Sequence, residues 1–151
     1  MPRPGVYALP WLERITDLLQ MTPEKQMDDR LPLWTAFTHR EEVLYLAVAL
    51  GFSFDGTDPT IPTTGEVKHD REWKVGTIAP YLGHIALEAC LTTDLQERIR
   101  IVVNGKVMPG FEGELYQDTN GSYDHDQVCR YLQKEASRYK GAKLDELTFL
   151  K

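Results

Sequence analysis

Within Phe37–Gly51, FTHREEVLYLAVALG, a histidine, an arginine and two glutamates stand side by side where a short apolar run gives way to an amphipathic segment. His39 and Arg40 are residue types that hold phosphate oxygens. Glu41 is a type that can protonate a departing alkoxide, a task that needs an acid close to the leaving oxygen. Val43, Leu46, Ala47 and Leu50 follow at helical spacing, and Gly51 is placed to end that helix. Leu33–Thr38, just before the cluster, is short, apolar and aromatic, and reads as a buried strand. The cluster thus stands where a strand hands over to a helix. In open α/β sheets ligands bind at such places, and a helix start offers partial positive charge and free N–H groups to an anion. A purely structural role fits the same residues: carboxylates in a first turn suit the helix dipole, and Arg40 can form a solvated charge pair with Glu41 or Glu42.

The remaining candidates are weaker. His69 has charged neighbours and reads as a solvated loop residue; His84 reads as a packed or half-exposed helical residue beside Ile85; His125 reads as solvent-facing in the first turn of the last helix. Asp118–Cys129, DTNGSYDHDQVC, has the look of a calcium loop, but an EF-hand needs Gly at its sixth position and Glu at its twelfth. Tyr123 and Cys129 stand there, so Asn120-Gly121 is read as a turn instead. Arg98 and Arg100 read as the outward face of an edge strand, where charge deters aggregation. Cys90 and Cys129 are too few for a disulfide scaffold and have no zinc spacing; both read as plain buried or half-buried thiols, with a single bridge between them left open by spacing. Asn120-Gly121-Ser122 is a glycosylation triplet, of consequence only in a secreted chain. No Gly-rich phosphate loop and no nucleophile elbow is present.

The elements that must position these residues follow from pattern. Leu9–Gln20 is predicted helical, with Pro10 in its first turn and Trp11, Ile15, Leu18 and Leu19 on one face. Thr22-Pro23-Glu24 can open a short helix. Ser53–Asp70 reads as a surface loop, Trp73 and Val75 as part of a strand, and Ile78, Leu82, Ile85 and Ala89 as a helix running from about Ile78 to Cys90. Ile99, Ile101 and Val103 alternate with Arg98, Arg100 and Val102, and Asn104-Gly105 is the preferred pair for a type I′ hairpin turn. The second hairpin strand starts at Lys106 and stops at Pro109. Asp124 with Gln127 forms a capping box for a helix carrying Val128, Leu132 and Tyr139; the tail after Gly141 reads as loose. Alternating strands and helices make the class α/β.

The chain has 151 residues, 42% apolar, with 17 basic and 23 acidic residues and a net charge of −6. One domain of ordinary size is expected, spanning 1–151. The acidity disfavours a general nucleic-acid surface, and no apolar run reaches the roughly 18 residues of a membrane span. The first residues lack the long apolar core of a signal peptide.

Three stretches resemble the histidine acid phosphatases, the branch holding acid phosphatases, phytases and inositol polyphosphate phosphatases. FTHREEVLYLAVALG resembles the family's second catalytic motif, a strand ending in His-Asp or His-x-Glu followed by a helix. EWKVGTIAPYLGHIALEAC resembles a strand followed by an Ala-Pro helix start and a helix ending in Cys. RIRIVVNGKVMPG resembles a hairpin near the family's C-terminus, and GSYDHDQVCRYL fits the start of its terminal helix more loosely. The resemblance runs from about Leu33 to Leu132. It implies the C-terminal part of a phosphoglycerate-mutase-like α/β domain with a terminal β-hairpin. It also implies His39 as a phosphoryl contact, Glu41 as proton donor, and no cofactor or metal. Members with His-Asp would place their acid at Arg40, which cannot donate a proton at working pH but can hold phosphate. The family's nucleophile lies in an Arg-His-Gly-x-Arg-x-Pro motif, and none occurs in these 151 residues. The expectation is therefore a phosphatase-like protein with little or no activity on its own. The alternative is a phosphate-binding or interaction protein that joins a partner chain, or itself, through an exposed sheet edge. Relatives of the type this chain resembles are most often exported, whereas its first residues show no export signal.

Overall fold

The structure is a computed structural model that describes residues 7–21, 33–52, 76 and 79–141. Three α-helices have described bounds, α1 (Leu9–Leu19), α2 (Arg40–Ala49) and α3 (His125–Lys140), and a short 3-10 turn spans Phe111–Gly113. Four strands form one antiparallel sheet, β1 (Ile85–Leu91), β2 (Glu97–Val103), β3 (Lys106–Val107) and β4 (Ser122–Asp124). The class is mixed α/β, as the alternation of patterns implied.

β2 is the organising strand. β1 pairs along its whole length, from Ile85 opposite Val103 to Leu91 opposite Glu97. β3 and β4 share its other edge: Val102 faces Val107, and Ile99 faces Tyr123. Asn104 and Gly105 turn the chain with φ of 49° and 79°, the left-handed values a type I′ turn requires. Asn104 also extends the β1–β2 ladder by one step, donating its N–H to the His84 carbonyl at 3.1 Å and accepting from the His84 N–H through Oδ1 at 2.9 Å.

Strand alternation sends Ile99, Ile101 and Val103 to one face, where all three are buried beneath the helices. α3 packs on that face and against α1, contributing Val128, Tyr131, Leu132, Ala136 and Tyr139, while α1 contributes Leu12 and Ile15. Each fully buried aliphatic side chain here stabilises by about 2 kcal/mol. The apolar face of α1 centres on Leu12, Ile15 and Thr16, a step round from the expected one, with Leu19 packed at its margin. Thr16 avoids a buried unpaired hydroxyl by donating to the Leu12 carbonyl at 2.7 Å. α3 starts at Asp124, whose Oδ1 accepts from the Gln127 N–H at 2.9 Å, the cap the sequence indicated.

Phe111 joins the parts. It is fully buried, edge-on to Tyr123 and Tyr131 at 4.8 and 4.9 Å, and its N–H donates to the Leu50 carbonyl at 2.6 Å. Gly110 lets this approach happen: a Cβ there would lie 2.8 Å from the Ile101 side chain and 3.1 Å from the Leu50 carbonyl. The Gly110 N–H donates to the Tyr123 hydroxyl at 2.9 Å.

Several expectations are corrected. Ile85–Leu91 is strand β1, where a helix is expected as far as Cys90. Leu82 stands at φ 62°, which a helix cannot contain, and Ile85, Leu87 and Ala89 share a face with period two as well as any helical period. His84 accordingly precedes a strand rather than sitting in a helix. Leu33–Thr38 is not a buried strand: it belongs to no strand, and Leu33, Trp34 and Phe37 are exposed. Among the described residues no strand pairs with it, and an extended segment is buried only when neighbours satisfy its backbone. Arg98 and Arg100 lie on the central strand β2, not on an edge. The expectations for Thr22–Glu24, Ser53–Asp70 with His69, Trp73–Val75, Ile78 and the tail beyond Gly141 lie outside the described residues.

Candidate active site at the start of helix α2

His39 is the N-cap of α2, with extended backbone at φ −76° and ψ 155°, and its side chain makes no capping bond. Its carbonyl accepts from the N–H groups of Glu42 at 3.1 Å and Val43 at 3.5 Å, so the helix is hydrogen-bonded from its first turn. The N–H groups of Arg40 and Glu41 come before those bonds and have no acceptor within the helix, which leaves them for an outside partner. Glu41 and Glu42 occupy the first turn, where the helix dipole favours negative charge. His39, Arg40 and Glu41 are exposed and Glu42 is half-buried.

The other end of α2 is fixed. Ala47, Ala49 and Leu50 are buried, Leu50 is held by Phe111, and Tyr45 stacks on Tyr7 at 4.8 Å. Gly51, at φ 68°, takes the chain out of the helix as expected. The element is therefore anchored at its C-terminus and presents imidazole, guanidinium and carboxyl groups at its N-terminus. Chemically, the backbone N–H groups with His39 and Arg40 suit an anion, and Glu41 can carry a proton. The approach is aromatic: Phe37 is 98% exposed, and Trp34 lies 6.3 Å from Trp11 with the Arg14 guanidinium 5.7 Å from its ring centre.

Sequence reasoning missed a second polar cluster. Asp118 Oδ1 accepts from the N–H groups of Asn120 and Ser122 at 2.9 and 2.8 Å, and Oδ2 accepts from the Ser122 hydroxyl at 2.6 Å and from Arg98 at 3.0 Å. The Ser122 hydroxyl and N–H, with smaller help from the Asn120 N–H and then Arg98, hold the Asp118 carboxyl down at about 2. Its bonds are all internal, so the cluster is a clamp joining the loop to β2. The available signal was an aspartate two residues before Asn120-Gly121, the pattern of an Asx turn.

His125 is also corrected. Its side chain is only 16% exposed, and Nε2 donates to the Leu19 carbonyl at 3.0 Å, joining the start of α3 to the end of α1. Nδ1 faces Asp126 at 3.3 Å and Glu97 at 3.6 Å. Cys129 Sγ lies 3.8 Å from Nε2, but burial pushes the thiol's pKa up, and Asp126, Glu97 and Asp124 add to this. That is the opposite of an activated nucleophile. Both cysteines are free thiols, but only Cys129 is buried as expected; Cys90, on the edge strand β1, is exposed. Among the described residues no group of three His, Cys, Asp or Glu side chains could hold a metal ion.

A family model, that of the histidine phosphatase superfamily (branch 2), matches residues 2–104. The chain belongs to the histidine phosphatase superfamily. The matched residues include the start of α2 and strands β1 and β2; β4 and α3 lie beyond them. The match thus begins well before Leu33 and ends well before Leu132, the limits that motif resemblance suggested. The mixed α/β architecture is consistent with a partial histidine phosphatase domain. No curated protein and no solved structure matches the chain.

Proposed function

We propose that this superfamily member is a histidine acid phosphatase-like protein related to phosphomonoester hydrolysis, and that the polypeptide alone turns over little or no substrate. The observation that carries the reading is the start of α2, with His39 at the N-cap and Glu41 in the first turn, both exposed and both inside the matched residues. His39 and Arg40 contact phosphoryl oxygens there, and Glu41 gives its proton to the leaving alkoxide. Phosphoryl transfer also needs a nucleophile and a charge clamp on the equatorial oxygens. The Arg-His-Gly sequence that supplies them in the acid phosphatases does not occur in the 151 residues.

Turnover of a generic aryl phosphate by the purified chain, read beside phosphate titration followed by amide NMR, tests both halves. Negligible hydrolysis with phosphate-dependent shifts confined to His39–Glu42 is the expected result. Robust hydrolysis lost in Glu41→Gln and His39→Ala overturns the inactivity; no response of those amides to saturating phosphate overturns the site.

The exposure of the apolar side chains Leu33, Trp34 and Phe37 favours a second reading, a non-catalytic phosphate-binding or interaction protein that meets a partner or itself through this surface and an exposed sheet edge. Light scattering separates the two: a monomer with a sharp thermal transition counts against association.

A further inference from the structure

The Asn120-Gly121-Ser122 triplet is untouched by the phosphatase reading, and the fold places its three parts differently. The chain holds two asparagines, each followed by glycine. Asn104 lies in the β2–β3 turn, its Oδ1 engaged by the His84 N–H, and Lys106 stands where an acceptor triplet needs a hydroxyl. Asn120 is exposed, at the tip of a turn closed by the Gly121 N–H to the Asp118 carbonyl at 3.0 Å. Its backbone N–H is bonded to Asp118. Ser122, which carries the required hydroxyl, is 5% exposed, with that hydroxyl donating to Asp118 Oδ2 at 2.6 Å.

We propose that Asn120 is an acceptor of N-linked glycan when the chain is translocated, and that it accepts only before the Asp118–Ser122 clamp closes. In the transfer, Asn120 Nδ2 bonds to the anomeric carbon of a lipid-diphosphate-linked oligosaccharide. The bond from that carbon to the diphosphate oxygen breaks, the lipid diphosphate leaves with the electron pair, and Nδ2 loses one proton to a base. An enzyme must read the Ser122 hydroxyl to select the triplet, and the folded clamp takes that hydroxyl out of reach. Once attached, the sugar projects from an exposed turn tip and displaces no packed side chain, so the modified chain folds as the bare chain does.

The test is translation of the full chain, behind a cleavable secretion leader, in the presence of endoplasmic-reticulum microsomes. One discrete mobility step is expected, reversed by an endoglycosidase and lost in Asn120→Gln, while Asn104→Gln keeps it. No step, or a step surviving Asn120→Gln, overturns the acceptor assignment. The timing is tested by offering the purified folded chain to detergent-solubilised transferase with lipid-linked donor. Wild type is expected to accept at least about tenfold less than Asp118→Asn, whose fold is checked by circular dichroism. Equal modification of the two folded proteins overturns the gate, and Ser122→Thr, which keeps a hydroxyl on the clamp, is expected to behave as wild type in both assays.

Discussion

Replacing Asp118 by Asn tests whether the clamp beside β2 holds the fold as its geometry indicates. The amide keeps an oxygen for the N–H groups of Asn120 and Ser122, but its nitrogen meets the Ser122 hydroxyl and the Arg98 guanidinium, which are donors already. The carboxyl is held at about 2 against an ordinary 3.8. At about 1.4 kcal/mol per pH unit that displacement is worth about 2.5 kcal/mol. The side chain is 26% exposed, and solvent screening of the charged contacts reduces the figure to about 1.5 kcal/mol. Because the folded value lies below the unfolded one, the stabilisation is fully present above about pH 4 and is lost as pH falls through about 2. Urea unfolding of both proteins across that range is the assay. Asp118→Asn is expected to be about 1.5 kcal/mol less stable near neutrality, with the gap closing toward pH 2. Equal stability near neutrality, or a gap that stays constant down to pH 2, refutes the reasoning.

Further outcomes are expected from single sites. Phe111→Ala removes a fully buried ring that touches Tyr123 and Tyr131, and should cost about 4 kcal/mol in denaturant unfolding, with loss of order at the C-terminus of α2 visible in amide exchange. Leu95 is 75% exposed at φ 62°, so Leu95→Asn should stabilise by about 0.5 kcal/mol in the same assay by relieving left-handed strain on a branched side chain. Titration with a thiol reagent should show Cys90 reacting at least about tenfold faster than Cys129, whose thiol is buried and shifted upward; the order is read from Cys90→Ser and Cys129→Ser. Asp124→Ala removes the cap of α3 and should cost about 1 kcal/mol of thermal stability.

Much of the local structure was legible in the residues themselves. The hairpin at Asn104-Gly105, the cap at Asp124, the stop at Gly51 and the helices α1, α2 and α3 each rest on chemistry within a few positions of the chain. The same holds for the order of His39, Arg40 and Glu41 at a helix start, since a helix boundary fixes which N–H groups are left over. Where interactions between distant residues decide, pattern misled. Ile85–Leu91 has apolar residues compatible with either period, and the whole length of β2 alongside made it a strand. Leu33–Thr38 has a strand's composition, but a strand exists only in its pairing. His125 is polar and begins a helix, yet the carbonyl of Leu19, 106 residues away, holds it inside. Asp118 reaches Arg98 across 20 residues. The sequence by itself therefore determined turns, caps and the make-up of the candidate site, because those depend on near neighbours. Only the tertiary structure decided which apolar run became β1 and which polar side chains went inside, because burial and sheet pairing are settled by whatever else the folded chain brings alongside.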